Sequence, residues 1–204
     1  MVIADDSAKL REALEELFLS VEIETRSFEN AKSLLEGGLP DRPGCFILDV
    51  RMPGLSGLDL QTQLVERGHL MPIIFLTGHG DVPMSIRAIK GGAFDFRTKP
   101  IRDQDLLDAV AAAIDADRAR RAIDQVAHES VGRFNSLSPR ERQVLEFIVG
   151  GLLNKQIAYE LGVTSATIKL HRGSVMKKME VRSVAELVRV WDHIPLTIRQ
   201  GDAA

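Results

Sequence analysis

The chain has 204 residues, 45% hydrophobic and 27% charged, a composition that suits a globular protein with one large or two small cores. Apolar runs are far shorter than the roughly 20 residues of a membrane span, and the first residues lack the order of a secretory signal. We therefore expect a cytoplasmic protein that does not bind membranes. The single cysteine, Cys45, excludes an internal disulfide and is expected to be a buried thiol.

The net charge of −3 is divided unevenly along the chain. Residues 1–115 carry 12 Lys and Arg against 19 Asp and Glu, whereas residues 116–204 carry 14 against 10. A basic second half favours a polyanionic partner such as nucleic acid. Surface charge also varies without functional reason, so the asymmetry alone leaves that partner open.

The first part of the chain alternates short apolar runs with stretches of helical spacing. The runs predicted as strands are Val2–Ala4, Val21–Thr25, Cys45–Leu48, Ile73–Leu76 and Phe94–Phe96. The predicted helices are Ser7–Leu19, Glu29–Leu35, Leu58–Glu66, Pro83–Lys90 and Asp103–Ile114. Parallel strands need a crossover to return the chain, so five repeats of strand and helix predict a parallel sheet with helices on both faces. We expect an α/β flavodoxin-like domain with strand order 2-1-3-4-5 over residues 1–114.

The second part of the chain is predicted to be helical throughout. Residues 115–136 are polar and rich in arginine, and we interpret them as a linker that is helical or partly flexible. Residues 137–195 predict a small all-α four-helix domain, followed by a tail at 196–204. Ser138–Glu141 and Ser183–Glu186 have the residue pattern of capping boxes, which mark the starts of two of its helices.

Three aspartates are expected at one edge of the predicted sheet. Asp5 and Asp6 follow the first strand and Asp49 follows the third, and the binding crevice of an open α/β sheet lies where strand order reverses. Their mutual repulsion calls for a cation, and Mg²⁺ (or Mn²⁺) suits oxygen ligands. Alternatively, Asp5 and Asp6 only cap the next helix, and these two residues alone do not decide between the two interpretations.

A hydroxyl and an ammonium group are predicted at the same edge. Thr77 ends the fourth strand and Lys99-Pro100 follow the fifth. A carboxylate that accepts a phosphoryl group needs cations and hydrogen-bond donors to offset the incoming charge. Each residue alone is explained by turn chemistry or strand propensity, but together with the aspartates they indicate phosphoryl transfer to Asp49.

In this order and spacing, residues 1 to about 114 resemble the receiver domain of two-component response regulators. The runs LDVRMPGLSG, TGHGDVP and IRAIKGGAFDF are similar to those of nitrogen-fixation-type regulators. The resemblance implies that Asp49 accepts phosphate from a sensor histidine kinase. It also implies that Asp6, Asp49 and the backbone carbonyl of Arg51 ligate Mg²⁺, while Asp5 acts through water.

The resemblance also implies a switch. Thr77 and Phe96 would form the switch pair and Lys99 would sense phosphate. A phosphoryl group adds about −1.5 to −2 charges, which would draw Thr77 and Lys99 inward and let Phe96 rotate into the vacated space. The surface of the fourth helix and fifth strand would then change, and receivers of this kind dimerise through it. We expect a homodimer when the protein is phosphorylated.

Three features depart from the receiver pattern. The first strand has only Val2–Ala4, which leaves open a trimmed start or a marginal domain. Gly91 stands where alanine is common, and we expect it to cost about 1 kcal/mol of helix propensity and to loosen the switch surface. Ile101 replaces a common aromatic residue, and Arg97 adds a charge beside the switch strand. None of these departures removes a group needed for phosphorylation.

Two helices joined by a turn with glycine form the helix-turn-helix pattern, whose second helix enters the major groove of DNA. The two predicted helices are Asn154–Leu161 and Ser165–Met179, joined by Gly162–Thr164. A solvated cationic helix is the alternative. The second helix is expected to expose a basic face without an acid, formed by Lys169, His171, Arg172, Lys177 and Lys178.

Nearly all of Leu137–Trp191 resembles the four-helix DNA-binding domain of quorum-sensing and nitrate-type regulators. The implied phosphate contacts are Lys155, Thr167, Arg172 and Lys177. The implied groove contacts are Lys169, Leu170 and Gly173, with His171 nearer the backbone or helix packing. Gly173 replaces a longer polar side chain, so either base readout is reduced or the helix backbone approaches the DNA more closely. The last helix, Val184–Asp192, would pair two subunits on two half-sites of double-stranded DNA.

We weigh this interpretation against three others. A Mg²⁺-dependent phosphotransferase or phosphatase would explain Asp49, but no substrate-binding insertion or separate general acid is visible. A ligand-gated transcription factor is disfavoured by the acidic edge and Lys99. A receiver that works without phosphate stays open until measurement. We favour a phosphorylation-dependent transcription regulator that is not an enzyme.

Overall fold

The structure is a computed structural model that describes residues 1–78 and 82–199. The chain divides into two compact units, with the first spanning Met1–Arg121 and the second beginning at Ala122. Within the described ranges, the helices are all too short or too polar to cross a membrane. The elements of the first unit are β1 (Val2–Ala4), α1 (Ala8–Leu19), β2 (Arg26–Phe28), α2 (Ala31–Glu36), β3 (Phe46–Leu48), α3 (Gly57–Glu66), β4 (Ile73–Thr77), α4 (Val82–Lys90), β5 (Asp95–Thr98) and α5 (Asp103–Asn135), which continues into the second unit.

The five strands form one parallel sheet in the order β2-β1-β3-β4-β5, which confirms the predicted topology. In the sheet register, Val2 lies opposite Arg26 on one side and Phe46 on the other, so the short β1 is paired along both edges. Strands β1, β3 and β4 are buried throughout, as expected for apolar strands with helices on both faces.

Side chains alternate between the two faces of the sheet and form two separate cores. On one face Phe46, Leu48 and Phe75 pack with α2 and α3. On the other face Cys45 and Ile47 pack with side chains of α1 and α5. Burial raises the pKa of the Cys45 thiol to about 12, so it stays protonated at neutral pH, in agreement with the expected buried thiol.

The predicted second strand, Val21–Thr25, is wrong. These residues follow the end of α1, where the amide of Ile23 donates to the carbonyl of Phe18 at 2.9 Å and Glu22 has a φ of 60°. The apolar residues of this segment therefore complete the end of a helix, and the strand begins later, at Arg26. Helix α5 continues through the polar segment at 115–135, in agreement with the helical interpretation of the linker. The division of the chain at residues 114 and 137 stays a prediction.

Gly91 has a packing role that its sequence position does not reveal. It lies just beyond α4, where a Cβ atom would stand 2.9 Å from Oε1 of Gln61. The Gln61 side chain is buried, and its amide donates to the carbonyl of Ala88 at 3.1 Å. The expected cost of glycine inside α4 is therefore wrong, because the helix ends before Gly91. The missing side chain instead leaves room for the buried Gln61 amide, which ties α3 to α4.

The second unit is helical. Its elements after α5 are α6 (Pro139–Val149), α7 (Asn154–Glu160), α8 (Ser165–Lys178), α9 (Val184–Asp192) and α10 (Leu196–Arg199). The capping box of Ser138 and Glu141 is present, with both side chains accepting backbone amides. Ser183 caps α9, but Glu186 accepts the amide of Arg182, so the second box is only half formed. Part of the predicted tail is α10, and residues 200–204 lie outside the described ranges.

The core of the second unit is built from the inner faces of these helices. Ile168, Val175 and Met179 of α8 and its C-cap are buried against Val144 and Leu145 of α6. The opposite side of α8 is exposed. The fold thus leaves one face of the second helix of the helix-turn-helix pattern open to a partner.

Candidate functional site

Two strands bring Asp5 and Asp49 side by side. Ala4 lies opposite Leu48 in the register of β1 and β3, and the backbone amide of Asp49 donates to the carbonyl of Ala4 at 2.8 Å. The two aspartates that follow these strands are 3% and 7% exposed. Strand order reverses between β1 and β3, so both carboxyl groups lie at the predicted crevice.

Lys99 lies between the two carboxylates. Its Nζ is 2.6 Å from Oδ2 of Asp5 and 3.5 Å from Oδ1 of Asp49. The backbone amide of Lys99 donates to the carbonyl of Thr77 at 2.8 Å, which fixes the end of β5 beside β4. The buried Thr77 side chain forms a hydrogen bond with Asp49. Four residues singled out in the sequence therefore meet at one place.

Burial raises the pKa of the Asp49 carboxyl, and the Asp5 carboxylate raises it further. The charge of Lys99 and the hydrogen bonds from Thr77 and Lys99 lower it, but they do not compensate fully. One ammonium therefore leaves the pair of acids with unbalanced negative charge. Two buried carboxylates with such a deficit fit a hard divalent cation.

Of the three aspartates expected at this edge, Asp5 and Asp49 are buried together around Lys99, and the metal-ligand role of Asp6 stays a prediction. Within residues 1–78 and 82–199, no three His, Cys, Asp or Glu side chains are grouped so that they could hold a metal ion. Asp5 is buried and Asp6 is exposed, because consecutive residues after a strand project to different sides. Asp5 also accepts the backbone amide of Ser7 at 2.9 Å, so it supports the turn before α1 as well as pairing with Lys99.

Gly57 is a site residue that the sequence analysis missed. It is the first residue of α3, and its amide donates to the carbonyl of Val50 at 2.9 Å. A Cβ atom at this position would lie 2.1 Å from the carbonyl oxygen of Asp49. Only glycine lets α3 begin this close to the end of β3. The signal in the sequence is the glycine directly after Ser56, the residue that caps α3.

The other residues assigned to the receiver have mixed environments. Phe96 is half-buried, and its ring centroid is 6.1 Å from that of Phe75. Arg51 is exposed, and Arg97 forms an ion pair with Asp95 at 2.8 Å, so its charge is partly neutralised. The roles of Phe96 and the Arg51 carbonyl stay predictions.

Helix α4 presents an apolar surface to solvent. Val82, Ile86 and Ile89 are 71%, 48% and 51% exposed. Their spacing of four and three residues places them on one face of the helix. Three neighbouring exposed side chains of this size are typical of a surface that binds another protein.

The basic residues of α8 divide into engaged and exposed groups. Lys178 forms an ion pair with Glu141 at 2.7 Å, and Arg172 donates to the side-chain oxygen of Asn154 at 3.1 Å. Helix α8 itself carries no acid before Glu180, as expected, but Lys178 pairs with an acid of α6 that is distant in sequence. The residues predicted to contact DNA differ in exposure. Three of them are half-buried, namely Thr167, His171 and Arg172. The others are exposed, namely Lys155, Lys169, Leu170, Gly173 and Lys177.

Comparisons with known proteins agree with this arrangement. Residues 1–111 match the family model described as response regulator receiver domain, and residues 135–191 match that of bacterial regulatory proteins of the luxR family. Nodulation protein W of Bradyrhizobium diazoefficiens is 50% identical over 92% of this chain and 83% of its own length. The transcriptional regulatory protein FixJ of Azorhizobium caulinodans is 43% identical over 92% and 89%. The solved structure of response regulator StyR superposes with a TM-score of 0.86, at 42% identity and 94% and 96% coverage.

A receiver sheet with its acidic edge, joined to a luxR-type helix-turn-helix, defines a transcription regulator rather than a classical enzyme. The chain belongs to the two-component response regulator family. Both resemblances found in the sequence are confirmed. A receiver domain implies a histidine kinase as partner, and a luxR-type domain implies DNA.

Proposed function

We propose that Asp49 accepts a phosphoryl group from a sensor histidine kinase and that phosphorylation promotes dimerisation and sequence-specific DNA binding. The observation that carries the proposal is the arrangement around Asp49. This buried carboxyl has a raised pKa and lies beside Asp5, Lys99 and Thr77. Such a group gains from added cations and from donors aimed at new oxygen atoms.

In the phosphoryl transfer, a carboxylate oxygen of Asp49 attacks the phosphorus atom of the kinase phosphohistidine. The new bond joins Asp49 oxygen to phosphorus, the phosphorus–nitrogen bond breaks, and the histidine leaves with the electron pair. Asp6, Asp49 and the backbone carbonyl of Arg51 would hold Mg²⁺ or Mn²⁺, with Asp5 acting through water, and the bound ion would supply positive charge for the phosphoryl oxygens. Lys99, which lies within 3.5 Å of Asp49, adds a second cation.

Phosphorylation then acts on the receiver surface. Lys99 and Thr77 turn toward the phosphoryl oxygens, and Phe96 rotates into the space that Thr77 leaves. Movement at β5 changes the exposed apolar face of α4, which pairs with the same face of a second copy. The exposure of Val82, Ile86 and Ile89 supports this surface as the one that is covered.

The DNA-binding domain uses α8 as its recognition helix. The exposed Lys169, Leu170 and Gly173 face the base edges of the major groove. The phosphate contacts come from Lys155, Thr167, Arg172 and Lys177, and His171 lies nearer the DNA backbone or the helix packing. Two domains joined through the dimer then bind two half-sites, in the cytoplasm where bacterial DNA lies.

The test is to incubate the full chain with Mg²⁺ and acetyl phosphate and to read intact mass and sedimentation together. The wild type and Asp115→Asn, a control at an exposed acid, should gain the mass of one phosphoryl group and form more dimer. Asp49→Asn should do neither, and EDTA should prevent labelling of the wild type. Full labelling of Asp49→Asn would place the phosphorylation site elsewhere.

A further inference from the structure

One face of α8 points away from the core of the DNA-binding domain. The positions 166, 169, 170, 173 and 177 are three or four residues apart, which places them on one side of a helix. All five are exposed, whereas Ile168 and Val175 on the opposite side are fully buried. The residues of this outward face are Ala166, Lys169, Leu170, Gly173 and Lys177.

The middle of this face has no polar side chain. Lys169 and Lys177 carry the only hydrogen-bonding groups of the five, while Leu170 is 75% exposed and apolar. The neighbouring polar residues are engaged inside the domain. The Thr167 hydroxyl bonds that of Thr164 at 2.9 Å, and Arg172 bonds Asn154.

Gly173 has no packing reason to be glycine. Nothing lies within 4 Å of a Cβ atom built there, in contrast to Gly57 and Gly91. Its φ is not positive, so the backbone does not require glycine. A glycine inside a helix lowers stability relative to alanine, and no contact within the described residues offsets that loss. What distinguishes Gly173 from other open glycines is its place in the middle of the outward face of α8, so any benefit of the missing side chain is expected on that outer side.

We propose that Gly173 is a specificity-determining residue that lets the α8 backbone approach a thymine methyl group. Leu170 lies one turn before Gly173 on the same face and supplies an apolar wall for that methyl. The C5 methyl of thymine is the one apolar group on the floor of the major groove, so it is the group that fits a space lined by Leu170 and a bare backbone. The ligand is a double-stranded half-site with a T·A pair facing Gly173. This inference rests on the proposed entry of α8 into the major groove.

The first experiment separates stability from DNA binding. Half-sites are selected from a random duplex library with the full chain treated with Mg²⁺ and acetyl phosphate, and the binding of variants to the selected duplex is measured. Gly173→Ala should raise the thermal midpoint of the domain by roughly 4–8 °C while weakening specific binding at least about tenfold. Gly132→Ala, at an exposed glycine of α5 with equally open space, should raise the midpoint without affecting binding.

The second experiment exchanges the methyl group itself. Each thymine of the selected half-site is replaced in turn by uracil, which lacks the C5 methyl. At one position, wild-type binding should fall about threefold to tenfold, and Gly173→Ala should bind that uracil duplex better than the thymine duplex. If Gly173→Ala binds every duplex as the wild type does, the inference is overturned.

Lys169→Ala distinguishes this failure from a failure of the proposed function. If Lys169→Ala loses specific binding and Gly173→Ala does not, α8 still enters the groove and only the role of Gly173 is wrong. If neither variant changes specific binding, α8 is not the recognition helix and both proposals fail together.

Discussion

The two ends of the β3 region hold buried aspartates in opposite electrostatic situations. At the carboxyl end, burial raises the pKa of Asp49, and the charge of Lys99 compensates only in part. At the amino end, Asp117 of α5 is fully buried and accepts the amide of Gly44, just before β3, at 3.1 Å.

Asp117 also accepts hydrogen bonds from two arginines, with the Nε of Arg121 at 2.9 Å and a further bond from Arg120. Burial alone would raise its pKa, but these bonds and the Gly44 amide outweigh that effect and lower it. Burial by itself therefore does not make an acid reactive. What distinguishes the two sites is whether donors from the protein satisfy the carboxylate, as at Asp117, or leave a deficit that an incoming group can use, as at Asp49.

The largest expected effect is at Asp117. Asp117→Ala should lower the free energy of unfolding of the first unit by about 3 kcal/mol, because it removes the buried acceptor that Arg120, Arg121 and the Gly44 amide share. Urea unfolding followed by circular dichroism measures this. Asp41→Ala, at an exposed acid that pairs with Arg121, should cost under about 1 kcal/mol. Equal losses of unfolding free energy in Asp117→Ala and Asp41→Ala would contradict the special role of the buried acid.

Glu141 extends the comparison to the second unit. Hydrogen bonds from Lys178 and from the backbone of Ser138 lower the pKa of this buried carboxyl, so it resembles Asp117. Glu141→Ala should cost about 2 kcal/mol, since it breaks half of a capping box and an ion pair. The fluorescence of Trp191, the single tryptophan, reports unfolding of this unit. Glu146→Ala, at an exposed acid of α6, is the control. An equally large loss of unfolding free energy in this control would contradict the stabilising role given to Glu141.

Asp49→Asn should have the opposite sign. Removing a charge that burial disfavours should raise the free energy of unfolding by about 1 kcal/mol, as often occurs at functional sites that sacrifice stability. Lys99 keeps Asp5 as its partner at 2.6 Å, so no cation is left without an acid. Urea unfolding of this variant beside Asp117→Asn provides the comparison. A loss of stability in Asp49→Asn would mean that groups of the protein fully compensate the charge of the Asp49 carboxylate.

The smallest effect is a difference in pH dependence. The folded pKa of Asp117 is depressed, so its contribution to stability is present above 3.8 and is lost as pH falls through the folded pKa. The folded pKa of Asp49 is raised, so its contribution is most favourable below 3.8 and is lost as pH rises through the folded pKa.

Relative to Asp117→Asn, the free energy of unfolding of the wild type should therefore rise as pH rises from about 3. Relative to Asp49→Asn, it should fall over the same range. Each slope is a fraction of the roughly 1.4 kcal/mol per pH unit that one full proton gives. Urea unfolding at several pH values measures both slopes, and slopes of the same sign would contradict the comparison.

The sequence by itself determined the order of the sheet and the meeting of Asp5, Asp49, Thr77 and Lys99. Strand periodicity and the ends of parallel strands carry this information locally, because residues that follow neighbouring strands must share one edge. The helix-turn-helix could also be predicted from the sequence, because the Ser138 cap and the Gly162 turn are local signals.

Only the tertiary structure decided which buried polar and charged groups find hydrogen-bond or ion-pair partners. Val21–Thr25 looked like a strand because apolar content does not show where α1 ends. The donors around Asp117, the ion pair of Lys178 with Glu141 and the close approach of Gly57 to Asp49 join residues far apart in the chain or depend on how elements pack. A local pattern specifies the type and direction of an element, but burial and charge pairing depend on what lies across the core.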